Sequence, residues 1–168
     1  MYWLFPLLLA TGCIFPPSLG VEKQDAGQNS PPSILTVRSD LEELPEPGPV
    51  VFDIGMTAGS MNFELLDTDG DDTLYVRIFV DYNNPIETPP RSTCTARELE
   101  GAKRTATCDL RGLCTMAELN QVPDPYMTII VFDREPLESG APTYQAMPPE
   151  GLSTSRGYFL KCRAGAPT

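Results

Sequence analysis

The sequence predicts an all-β fold: an antiparallel β-sandwich of about seven or eight short strands, with one short helix. Three observations lead to this prediction. Apolar residues recur at every second position in several runs, as they do in strands with one buried face. The 18 prolines and 13 glycines disfavour long helices and supply frequent turns. Many short strands separated by such turns are typical of two packed sheets.

The clearest alternating runs lie on either side of an acidic turn. Met61, Phe63 and Leu65 alternate with polar residues before the turn, and a second run follows it at 74–80. A hairpin in one register aligns three apolar pairs, which are Leu65 with Leu74, Phe63 with Val76, and Met61 with Ile78. Because a slip of one residue would expose the whole apolar face, the sequence predicts that these two strands pair with each other.

Further strands are predicted where the same alternation recurs. They lie at 34–37, 50–56, 126–134 and 157–162, and in the two arms of a cysteine-containing hairpin. One segment, 113–120, has apolar residues at spacings of three and four instead, which predicts the short helix.

The charge and composition of the chain exclude several classes of function. Lys and Arg total 12 against 23 Asp and Glu, which gives a net charge of −11. Such an acidic surface repels the phosphates of nucleic acids, so we expect no nucleic-acid partner. The sequence contains no histidine, which excludes a Ser-His-Asp relay and metal sites built on imidazole.

The first ten residues are uncharged and mostly apolar. This run is too short to span a bilayer but matches the hydrophobic region of a signal peptide. It ends at Ala10-Thr11-Gly12-Cys13, which resembles the lipobox of bacterial lipoproteins. The resemblance implies that residues 1–12 are a signal peptide and that Cys13 receives diacylglycerol and a fatty acid such as palmitate. No Lys or Arg precedes the run, and the alternative is a leaderless protein in which this segment is a buried strand.

The lipoprotein resemblance also implies a location and a layout. Acyl chains on Cys13 would hold the protein to a membrane, and Ile14, where an Asp would retain it in the inner membrane, implies the outer membrane. Residues 13–32 are rich in Pro, Gly and Ser, which is typical of a flexible linker. We expect the sandwich domain at 33–163 and a disordered tail at 164–168.

Four further cysteines form an even set, as in exported proteins with disulfide bonds: Cys94, Cys108, Cys114 and Cys162. The sequence from the first to the second is roughly symmetrical about Gly101, so a hairpin there would place Cys94 opposite Cys108. This predicts one disulfide between these two cysteines and leaves Cys114 with Cys162. The alternative, a redox-active or metal-binding set of thiols, lacks a Cys-x-x-Cys pair.

The predicted domain resembles the immunoglobulin-like or fibronectin-type sandwiches of exported proteins. The resemblance rests on the number of strands and the spacing of turns over 33–163, and it predicts an antiparallel immunoglobulin-like β-sandwich. The chain lacks the Cys-Trp-Cys arrangement of antibody domains, because its one tryptophan, Trp3, lies in the predicted signal peptide. A jelly roll or a small barrel is the alternative architecture.

Two segments could carry a binding site. In Leu-Asp-Thr-Asp-Gly-Asp-Asp-Thr, four carboxylates could bind Ca²⁺, namely Asp67, Asp69, Asp71 and Asp72. The alternative is a solvated turn, because Asp and Gly are turn formers. The segment 135–156 is longer than a hairpin requires and predicts a binding loop with Tyr144, Met147 and Arg156 as contact residues, or else a loop without a partner.

These patterns favour a membrane-anchored envelope lipoprotein that acts as a non-catalytic binding or structural module. Its expected partners are the membrane, through the lipid anchor, and another protein of the envelope. One alternative is a carboxylate-based or metal-assisted hydrolase acting on a glycan or a peptide. The other is a calcium-dependent adhesion module, and only this alternative and the metal-assisted hydrolase imply a bound cofactor.

Overall fold

The computed structural model describes residues 29–165 apart from 41 and 71, so the predicted signal peptide, Cys13 and most of the linker lie outside it. The described part contains nine strands and no helix. The strands are β1 (Ser33–Ser39), β2 (Val50–Ile54), β3 (Ser60–Leu66), β4 (Tyr75–Val80), β5 (Ser92–Thr95), β6 (Arg97–Glu100), β7 (Lys103–Asp109), β8 (Tyr126–Phe132) and β9 (Ser153–Ala164). Within these residues no helix is long and apolar enough to cross a bilayer.

The strands form two sheets, as a β-sandwich requires. The first sheet has the order β1-β3-β7-β6, and all of its pairs are antiparallel. The second has the order β2-β9-β8-β4-β5, and only its edge pair, β2 with β9, is parallel. The sequence prediction of an all-β sandwich is therefore confirmed, with one parallel pair in an otherwise antiparallel arrangement.

The core lies between the two sheets and consists of the alternating apolar residues of both. Its fully buried side chains include Met61, Phe63, Leu65, Ile78, Met127, Ile129, Val131, Tyr158 and Leu160. Burial of one such side chain stabilises the fold by roughly 1.5–3 kcal/mol. The strands predicted at 34–37 and 157–162 lie within β1 and β9, and β8 covers 126–132 of the strand predicted at 126–134.

The predicted hairpin of β3 with β4 is wrong. β3 pairs with β1 and β7, whereas β4 belongs to the other sheet and pairs with β5 and β8. The acidic segment between the two strands crosses from one sheet to the other. Alternation reports only which face of a strand is buried, and the same alternation suits two strands that pair within a sheet or face each other across the core.

The predicted helix at 113–120 is also wrong, because this segment forms turns. Thr115 and Glu118 do make contacts typical of a helix N-terminus: the Thr115 N–H and hydroxyl both donate to Glu118 Oε2, at 2.7 and 2.6 Å. The chain leaves this turn at once, since Leu119 forms a parallel bridge with Cys162 of β9. Tertiary pairing therefore overrides the local helical pattern.

Residues 133–152 join β8 to β9 and cover part of the outer face of the second sheet. Beneath them lies a second apolar cluster, separate from the main core, with Phe79, Ile130 and Phe132 buried at its centre. Tyr75, Tyr82, Tyr144 and Met147 pack against these three residues. This long connection is thus packed on the sheet by its own side chains.

Candidate functional site

Both predicted cysteine pairs are brought together as disulfides. Cys94 pairs with Cys108 and Cys114 with Cys162, with Cα–Cα distances of 5.1 and 5.6 Å. The first bond joins β5 to β7 and therefore links the two sheets. The hairpin predicted around it is right only for its inner part, β6 with β7, because after Thr95 the chain passes from the second sheet to the first.

Asp67 is the most deeply buried of the predicted calcium ligands that the structure describes, with 2% of its surface exposed. Its Oδ1 accepts a hydrogen bond from the Asp69 N–H at 3.1 Å. Its Oδ2 is buried and has no hydrogen-bond partner among the described residues. Burial raises the pKa of this carboxyl, and the neighbouring charges of Asp69 and Asp72 raise it further.

The neighbouring aspartates are turned towards other partners. Asp69 Oδ2 accepts from the N–H and the hydroxyl of Ser30, at 2.8 and 2.9 Å. Asp72 Oδ1 accepts from Arg134 Nη1 at 2.8 Å. Asp71 lies outside the described residues, and among those that are described no group of three or more His, Cys, Asp or Glu is arranged to hold a metal ion. The calcium site stays a prediction.

The three residues of the predicted binding loop do not lie together. Tyr144 and Met147 are in the 133–152 connection and pack on the second apolar cluster. Arg156 is in β9, on the same side of the strand as the buried Tyr158, so its assignment to the loop is wrong. Arg156 Nη2 donates to the Ile34 carbonyl of β1 at 2.6 Å, which ties the edge of one sheet to the other sheet.

Arg77 fixes the 133–152 connection to the sheet, a role that sequence reasoning missed. This nearly buried guanidinium donates to the carbonyls of Tyr144 and Pro136, at 2.6 and 3.1 Å, and to Glu138 Oε1 at 2.7 Å. Tyr82 adds a hydrogen bond from its hydroxyl to the Thr143 carbonyl at 2.5 Å. Its position could have indicated this role, because Arg77 lies between apolar neighbours in a strand that is buried on both faces.

Two open hollows flank β5. The first hollow, with a volume of about 400 Å³, lies on the outer face of β4 and β5 beside the 133–152 connection. Its polar lining comprises Tyr75, Arg77, Thr93, Thr95, Glu135 and Glu138. The second hollow, of about 430 Å³, lies between β5 and β7 and is lined by Cys94, Thr95, Arg97, Thr105 and Thr107.

Acidic side chains outnumber basic ones in the lining of the first hollow. Glu138 is paired with Arg77, which also donates to the carbonyls of Tyr144 and Pro136. Glu135 is exposed and forms no ion pair within the described part of the chain. The hollow therefore presents an unneutralised carboxylate to solvent, which favours a cationic group.

No protein-family model matches the chain, and a search of curated proteins finds none similar to it.

Proposed function

We propose that this chain is an exported lipoprotein of the outer membrane, anchored through lipid on Cys13, whose sandwich domain is a non-catalytic binding or structural module. One observation carries the proposal. The two disulfides use all four cysteines after Cys13. Disulfides persist in oxidising compartments, and the one remaining cysteine follows an apolar run and two small residues, as lipidation requires.

The order of the strands supports an immunoglobulin-like architecture within this proposal. Immunoglobulin domains place strands A, B, E and D in one sheet and C, F and G in the other. Here β1, β3, β7 and β6 correspond to the first set, and β4, β8 and β9 to the second. β2 and β5 are then additional edge strands, and the disulfides occupy positions other than the B–F bond of antibody domains.

The attachment of the first described residues supports a tethered domain. Asn29 Nδ2 donates to Asp133 Oδ2 at 2.6 Å and to the Glu150 carbonyl at 2.7 Å, so the chain is held to the domain before β1 begins. The predicted linker, 13–32, would then be attached to the domain at its C-terminal end.

A second candidate, a calcium-dependent adhesion module, is favoured by Asp67. A buried carboxylate oxygen without a donor is unfavourable unless it is protonated or meets a cation. Asp69, Asp71 and Asp72 are close in sequence and could complete an oxygen site after local rearrangement.

The test of the lipoprotein is a comparison of the parent with Cys13→Ala and with Thr11→Ser, a control that keeps a small residue before the cysteine. The parent and the control should take up labelled palmitate, lose residues 1–12 and sediment with outer membranes. Cys13→Ala should do none of these. A Cys13→Ala protein that is processed and membrane-bound like the parent contradicts the proposal.

A further inference from the structure

β5 is the edge strand that carries no charge, proline or register shift within its own four residues, Ser92–Thr95, although Pro90 and Arg91 lie directly before it. Natural sheets guard their edges with charges, prolines or bulges. β1 and β6 both contain irregular register and charged residues, and β2 contains Asp53. The sequence of β5 is Ser-Thr-Cys-Thr, which contains no charge and no proline.

The backbone groups that β5 offers at this edge follow from its pairing with β4. The Ala96 N–H donates to the Leu74 carbonyl at 2.9 Å, and the register continues with Cys94 opposite Val76. In an antiparallel pair, the residues that exchange hydrogen bonds alternate with residues whose polar groups point away. The N–H and C=O groups of Thr93 and Thr95 therefore face away from β4.

The two hollows provide space for the side chains of an added strand. In an antiparallel strand, residues directly opposite Thr93 and Thr95 would make the backbone hydrogen bonds and would point to the same face as these threonines. That face carries the first hollow and the carboxylates of Glu135 and Glu138. The intervening residues would point towards the second hollow, beside the Cys94–Cys108 disulfide.

We propose that the β5 edge binds an extended segment of a partner protein, antiparallel to β5, with Lys or Arg at every second position. The backbone of β5 supplies affinity, and the acidic first hollow selects the basic side chains. A second copy of this chain fits less well, because edge-to-edge pairing would bring Glu135 of both copies together on molecules that each carry a charge of −11. The inference rests on the proposed function as a binding module and names its partner chemistry.

The test uses the full chain in a nonionic detergent and the peptide acetyl-Thr-Lys-Thr-Lys-Thr-Lys-Thr-amide, measured by calorimetry at low salt. Two derivatives have the same charge and sequence: one carries N-methyl groups on the lysine amides and the other on the central threonine amides. Since the lysines would donate to β5, methylating their amides should weaken binding about tenfold or more. Methylating the threonine amides should change it by about twofold at most.

Protein variants test the same contact from the other side. Thr95→Pro removes an outward N–H and should weaken binding about fivefold or more, whereas Thr95→Val keeps the N–H and should bind like the parent. Glu135→Gln should weaken binding about two- to fivefold, with Glu42→Gln, an exposed acid remote from β5, as its matched control. Intact disulfides and unchanged thermal melting establish that each variant is folded.

Several outcomes overturn the proposal. They are no binding of the unmodified peptide at millimolar concentration, equal loss with both methylated peptides, and a dimer in which the Thr93 and Thr95 amides are protected from exchange. If the peptide does not bind while Cys13→Ala behaves as expected, the lipoprotein proposal stands and only the proposed binding at the β5 edge is rejected.

Discussion

The carboxylate of Asp67 lies in surroundings that supply too few hydrogen-bond donors. One oxygen has a backbone partner and the other has none within the described residues. Burial raises the pKa of this group, so the folded protein binds its proton more tightly than the unfolded chain does. Ionised Asp67 therefore lowers the stability of the fold, and this cost disappears as the pH falls below about 4, the usual range of an aspartate.

We predict that Asp67→Asn, in the absence of calcium, is more stable than the parent at pH 7 by roughly 1 kcal/mol. The difference should shrink as the pH is lowered through the raised pKa of Asp67. Chemical denaturation between pH 3 and pH 7 measures it. Asp40→Asn is the control, and its effect on stability should have the opposite sign. Hydrogen bonds from the Ser60 side chain and N–H lower the pKa of Asp40. The Asp40 carboxylate therefore stabilises the fold at neutral pH, and this stabilisation is lost in acid.

The calcium candidate makes a separate prediction for the same residue. If Asp67 is a ligand, millimolar Ca²⁺ should raise the melting temperature of the parent, because a ligand that binds only the folded state stabilises it. Asp67→Asn should abolish this rise, whereas Asp40→Asn should retain it. Equal melting of the parent with Ca²⁺ and with a chelator would remove the adhesion module from consideration.

Individual residues were predictable from sequence only where local pattern decides their position. Cys94 and Cys108 lie at mirror positions about Gly101, and the structure joins them. Arg156 and Arg77 could not be placed in the same way, because the groups that they contact lie far away in the sequence. Such contacts depend on which strands become neighbours, and no local spacing records that.

At the scale of elements, the 133–152 connection depends on one strand residue. Arg77 provides three of the hydrogen bonds that hold it, two of them to backbone carbonyls. We predict that Arg77→Met lowers the free energy of unfolding by roughly 1–3 kcal/mol, because these carbonyls lose buried donors. Proteolysis and hydrogen exchange within 133–152 should increase more than in β3 or β7.

Arg111→Met serves as the control for this prediction. Arg111 is exposed and pairs with Asp109, two residues away, so its loss should leave the 133–152 connection unchanged. If 133–152 is as well protected from proteolysis and hydrogen exchange in Arg77→Met as in the parent, the apolar cluster beneath the connection holds it without the arginine.

The positions of strands were easier to predict than their partners. The inward residues of β3 and β4 were identified by their alternation, and they do meet in the core. They meet from opposite sheets, however, since the segment between them crosses over rather than turning back. Alternation with a period of two shows which face of a strand is buried but not which sheet the strand joins. The aligned apolar residues were therefore compatible with both arrangements.

At the scale of the whole molecule, the two disulfides act on different parts of the sandwich. Cys94–Cys108 links the sheets at the point where the chain passes from β5 to β6, and Cys114–Cys162 attaches the 110–125 connection to β9. The parity of the cysteines and the local symmetry allowed both pairs to be predicted. Which sheets they join depends on topology, which the sequence pattern did not resolve.

Removing either disulfide tests how the molecule is stabilised. The sequence separations are 14 and 48 residues, and in the chain-entropy model the bonds contribute roughly 3 and roughly 4 kcal/mol. Replacing each pair by two alanines should therefore lower the free energy of unfolding, and more so for Cys114 with Cys162, as measured by denaturant titration. Domains of this size are stable by about 5–15 kcal/mol in total, so loss of both bonds should leave the chain largely unfolded, as should synthesis in a reducing compartment. A double-deleted protein that folds as stably as the parent would show that the core alone suffices, and the cysteines would then no longer argue for export.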